Sequence, residues 1–212
     1  MRRWENSAKT TSLEDVTASP IGSDLTTGTA PKSTSAVGAC RFHFLDVEIE
    51  VIPMVYGVID EKGEKYYTHL KKVFDAIGNK QLDYNWLITD CECYPSDPEI
   101  NELFSEEYCW ISGEKLTDIV TTDDFQWIWA VLSAFEKSVS LDEVLKYELP
   151  YADGYKGFWE KPLTMQHPLA KIEIVPWDSS LTLVFSDNRE IVDSFKSYYQ
   201  GSENLENYID SF

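Results

Sequence analysis

Two apolar runs near the C-terminus constrain the fold more than any other feature. KIEIVPW (Lys171–Trp177) and SLTLVFS (Ser180–Ser186) are separated by Asp178 and Ser179. Both runs are rich in β-branched residues, and the residues between them favour turns, so the pair reads as a β-hairpin. A hairpin commits the chain to antiparallel pairing. Two strands alone are marginal in water, so further strands must complete a sheet.

The candidates for those strands lie upstream. Phe42–Ile52 alternates, with Val47, Ile49 and Val51 on one face and Glu48 and Glu50 on the other. Tyr84–Ile88 (YNWLI) is a short buried run, and Tyr108–Ile111 (YCWI) precedes a turn at Ser112–Gly113. Phe125–Glu136 (FQWIWAVLSAFE) fits either a helix or a strand apolar on both faces. Its aromatic content favours the strand.

Helical periods separate these runs. After Gly63, the stretch EKYYTHLKKVFDAIG puts Tyr66, Leu70, Val73, Phe74 and Ile77 on one stripe, with Gly78 as the stop. Asp97 and Pro98 open a short helix, and EKLTDIV reads as another. Ser140 and Glu143 form a capping box. Asp187 and Glu190 begin a last helix through Ile191, Val192, Phe195 and Tyr199, ended by Gly201. The expected class is α+β: a single mixed or mainly antiparallel sheet with helices packed on it, ending in the hairpin and then a helix.

Charge divides the chain. Residues 1–40 hold 13 Ser or Thr, with four bases balancing four acids. This composition predicts a disordered tail, and 41–212 a single acidic domain. The whole net charge of −19 therefore falls beyond residue 40. Such a charge disfavours nucleic acid and anionic membrane surfaces as partners and favours a basic protein. No run approaches the roughly 20 apolar residues of a membrane span. No apolar stretch follows Arg2 and Arg3, so a cytoplasmic location is expected.

Chemistry-bearing motifs are sparse. G-x-S-x-G, H-E-x-x-H and phosphate-loop patterns do not occur. Cys91 and Cys93 have the wrong spacing for zinc and read as thiols near a strand end. His43, His69 and His167 stand apart from one another, His167 in a loop before Pro168. No cofactor, no metal and no catalytic residue are expected. Carboxylates stand out instead. From Asp83 to Asp124 there are 12 acids and one base, Lys115, a balance of −11. They fall mostly in segments following strands, which gather at one end of a sheet. The expected binding surface is an acidic rim of Asp97, Glu99, Glu102, Glu106, Glu107, Asp123 and Asp124, with Trp159 and Trp177 as loop anchors.

The order FDAIG, YNWLI, acidic segment and YCWISGEKL, with the late hairpin KIEIVPWDSSLTLVFSDNREIVDSF, resembles an uncharacterised family of small acidic bacterial proteins. The resemblance spans Val55–Ile209 and carries no catalytic residue. More loosely, the chain is similar to immunity proteins of toxin systems. That likeness implies a non-enzymatic protein whose carboxylates occlude the cleft of a basic toxin. A housekeeping or regulatory protein and a carboxylate-dependent metal enzyme are the competing expectations.

Overall fold

A computed structural model describes residues 54–211 of the chain. The expected tail and the expected strand at Phe42–Ile52 lie outside the described residues. Seven antiparallel strands form one sheet in the order β3-β2-β4-β5-β6-β1-β7. The hairpin is β5 (Ile172–Trp177) and β6 (Leu181–Ser186), with Trp177 opposite Leu181. Asp178 and Ser179 take positive φ, 47° and 54°, to turn the chain. Short polar side chains tolerate that region best after glycine. β1 (Tyr56–Asp60) pairs with β6, and the two-residue β7 (Glu203–Asn204) caps the edge.

The ambiguous run is a strand. β4 (Trp127–Glu136) lies between β2 (Tyr84–Cys93) and β5. Being central, it is buried on both faces: Leu132 and Ala134 join one core, Val131 and Phe135 the other. β3 (Tyr108–Ser112) is the outer neighbour of β2.

Helices α1 (Leu70–Ala76), α2 (Pro98–Phe104), α3 (Gly113–Thr122) and α5 (Arg189–Tyr198) supply buried side chains to one face of the sheet. The other face is covered by α4 (Leu141–Val144), α6 (Leu205–Ile209) and the segment 145–171. Trp86 is fully buried and donates its indole N–H to the Gln81 carbonyl at 3.1 Å. The Trp127 indole N–H is buried with no acceptor among the described residues. Its ring packs on Phe104 (5.0 Å) and Phe125 (5.3 Å), which offsets part of that desolvation.

Four boundaries differ from expectation. α1 starts at Leu70, because Thr68 has already exchanged backbone hydrogen bonds with Trp127 (3.1 and 2.9 Å). Tyr66 is consequently exposed rather than on the helical stripe. Ser112–Gly113 is no separate turn: Ser112 caps α3, accepting from the Lys115 N–H at 3.2 Å. Asn188, not Asp187, caps α5, and Asp187 pairs with Lys171 at 2.9 Å instead. Beyond α5 the chain adds β7 and α6, so α5 is not the last helix.

The strand carrying YNWLI also runs further than its apolar residues. Thr89 pairs with Val131 but Glu92 with Trp129, so β2 holds one extra residue at a bulge. Asp90 sits there with φ 48°. Past the bulge β2 continues to Cys93, beyond the YNWLI run, so the two cysteines lie at the end of the strand.

Candidate functional site

The α2 segment is built to present acids outward. The Asp97 carboxylate accepts from the Glu99 N–H at 2.9 Å, and Pro98 occupies the first helical position. Phe104 anchors the inner face against Phe125 and Trp127, and Ile100 is half-buried beside them. Glu99, Glu102, Glu106 and Glu107 are left exposed. None of these four forms an ion pair among the described residues, whereas Asp83 and Glu114 of the same acidic window do. Asp97→Ala is expected to cost about 1 kcal/mol through loss of the cap. A urea midpoint unchanged from wild type would contradict it.

The other expected rim acids serve the fold. Asp123 is half-buried and accepts from the Ser96 N–H at 2.8 Å, tying the loop before α2 to the end of α3. Asp124 accepts from the Lys71 N–H at 3.4 Å and lies 3.8 Å from the His69 ring. A cleft of about 150 Å³ between α2 and α3 is lined by Asp97, Asp118 and Asp123, with Lys115 and the apolar Ile100 and Phe125.

The structure does not bring Trp159 and Trp177 to this rim. Both pack in the core cluster on the opposite face of the sheet. Trp177 meets Trp159 at 5.5 Å, Trp129 at 4.8 Å and Phe158 at 5.9 Å. Trp159, Leu181, Tyr208 and Ile209 border an apolar hollow of about 430 Å³.

Two carboxylates outside the expected rim hold segment 145–171. Asp90, aimed outward by the bulge, accepts from the N–H groups of Ala152 (2.7 Å) and Asp153 (3.0 Å). Glu173 is fully buried on β5 and accepts from Gln166 N–H (2.9 Å), His167 N–H (3.0 Å) and the Ser133 hydroxyl (3.3 Å). Burial pushes its pKa up to about 7. Gln166 in turn bonds both backbone groups of Tyr151. His167 is buried too. Its Nδ1 accepts from the Leu169 N–H at 3.2 Å, and its Nε2–H donates to the Val144 carbonyl at 3.1 Å. Those partners fix the neutral tautomer, and burial lowers its pKa. The signal for Glu173 was present: an acid between two isoleucines on a strand apolar on both faces has no solvent side.

Among the described residues, no group of three or more His, Cys, Asp or Glu is placed to hold a metal ion. Nor is any helix there long and apolar enough to cross a membrane.

Residues 56–150 match a family model described as "Protein of unknown function (DUF2691)". The match runs from β1 through α4 and stops before the C-terminal hairpin. It fits the resemblance to an uncharacterised family and carries no information on immunity proteins. No curated protein and no solved structure matches the chain.

Proposed function

We propose that this is a non-enzymatic binding protein that takes a basic protein partner on the outer face of α2 and the turn after it. One observation carries the reading: four exposed carboxylates there, Glu99, Glu102, Glu106 and Glu107, have no cation of their own among the described residues. Like charges held together repel one another, and a basic surface relieves that cost. The Asp97 cap and the Phe104 anchor hold the acids on a fixed element, so little ordering entropy is lost on binding. The finer proposal is an immunity-type protein of the cytoplasm, occluding the phosphate-binding cleft of a basic toxin. Neither nucleic acid nor a membrane is a partner in this reading, because the same charge repels both.

The test is a fourfold reversal, Glu99, Glu102, Glu106 and Glu107 to Lys, in the full chain. Binding is measured to the neighbouring gene's product, where that product is basic. The affinity is expected to fall by roughly tenfold or more, with a weaker dependence of association rate on salt. Reversing Glu148 and Glu160, which are exposed on other segments, changes net charge without touching α2 and is expected to cost far less. Losses in proportion to the number of charges reversed would mean that only net charge matters. Unchanged binding by the fourfold variant would sink the proposal.

A further inference from the structure

The β2 bulge assembles a pair of groups that the acidic face does not use. One inserted residue reverses the side-chain alternation of the strand. Before it, the even-numbered Trp86 and Ile88 face the helix-covered core; after it, Cys91 and Cys93 do. Their sulfurs lie 3.5 Å apart, in contact. Cys93 is buried and Cys91 is half-buried, so Cys91 is the less covered of the two. Among the described residues no third ligand converges on them, and two sulfurs alone do not complete a tetrahedral metal shell. Two contacting thiols with graded access do suit thiol–disulfide exchange.

We propose that Cys91 and Cys93 are a reversible dithiol–disulfide pair, an oxidation site whose oxidant is a small disulfide such as oxidised glutathione. The Cys91 thiol loses its proton to solvent, and its sulfur attacks one sulfur of the small disulfide. That S–S bond breaks, and the departing thiolate takes up a proton. Cys93, deprotonated in turn, attacks the Cys91 sulfur and expels the second small thiol. Two protein thiols are oxidised to one disulfide, and one small disulfide is reduced to two thiols. The sulfurs must close from 3.5 Å to a bond of about 2.05 Å. The bulge, where β2 leaves the regular ladder, gives the backbone that freedom.

The groups around Cys91 set its rate. Cys93 beside it, burial, and then Cys109 on β3 and Asp90 on β2 all hold the Cys91 thiol well above the usual range. Little thiolate exists at neutral pH, so oxidation is slow there and accelerates by about tenfold per pH unit. Cys109 sits in the core opposite Ile88, buried where a small disulfide does not reach it, and stays reduced.

The experiment incubates the full chain with oxidised glutathione at a series of pH values, blocks remaining thiols and maps the cysteines by fragmentation mass spectrometry. The expected product has lost the mass of two hydrogen atoms, with Cys91 and Cys93 jointly protected and Cys109 blocked, and dithiothreitol reverses it. In Cys93→Ser, a glutathione adduct should persist on Cys91. A persistent adduct on Cys91 or Cys93 in the wild type, pairing of either residue with Cys40 or Cys109, or no oxidation of the pair at any pH would each overturn the proposal. The mapping uses the wild-type chain, so it stands even if the variant fails to fold.

Discussion

Glu173→Ala is expected to destabilise the protein by about 4 kcal/mol, from the loss of three hydrogen bonds to a fully buried side chain. The Gln166 and His167 N–H groups and the Ser133 hydroxyl all point at this one side chain. Their loss also frees the strap that buries Ala152, Phe158 and Leu163 on the sheet. A urea midpoint within error of wild type would contradict this account. The same carboxyl makes stability depend on pH. Its folded pKa of about 7 lies above the ordinary 4.5, so the folded state holds the proton more tightly. The stabilisation is fully present below about pH 4.5 and is lost as pH rises through about 7, a change of roughly 3 kcal/mol. His167 works the other way: its lowered pKa gives stability above about pH 6.5 that is lost on acidification. Glu173→Gln is expected to flatten the decline between about pH 5 and about pH 8 while leaving the acid-side loss in place. Denaturant titrations across that range read both slopes. A decline that survives in the Gln variant would assign it to other groups.

Gly113→Ala is expected to cost at least about 3 kcal/mol, and more if the backbone cannot yield. A Cβ at the first residue of α3 would overlap the Gln81 carbonyl oxygen and come within 2.9 Å of the Tyr84 carbonyl oxygen. Both obstacles are backbone, so no rotamer change relieves them. The Gln81 carbonyl is also the acceptor for Trp86, so displacing it loosens the largest side chain in the β2 core. Gly154→Ala is the contrast. That residue has φ +80° and nothing within 4 Å of the added carbon, so only backbone strain of about 1 kcal/mol is expected. Thermal melts of the two variants should differ widely. Similar melting temperatures would show that α3 can move away from the turn at Lys80–Asp83.

Legibility followed the range of the interactions. The hairpin, the YNWLI strand, the Asp97 cap and the Ser140–Glu143 capping box rest on neighbours in sequence, and each is where its pattern placed it. The antiparallel α+β architecture follows from them, because a hairpin and strands separated by short helices leave few other ways to bury their apolar faces. The start of α1 did not follow, because Thr68 gave its hydrogen bonds to Trp127, 59 residues away. Trp159 and Trp177 looked like loop anchors, but the other face of the sheet holds them.

The acidic window was visible in sequence as a count, and its exposed members on α2 follow from the Asp97 cap and the helical period. Which acids remain unpaired was not visible. Asp123 and Asp124 are as acidic as Glu106 and Glu107 in composition, yet the fold uses them to tie down Ser96 and Lys71. The sequence by itself determined the local elements, the sheet class and the sign of the surface, since these depend on side-chain period and charge number. Only the tertiary structure decided that Asp90 grips segment 145–171, that Glu173 is fully buried, and that two cysteines meet beyond a bulge. Those depend on one inserted residue and on partners tens of residues distant, which no local pattern encodes.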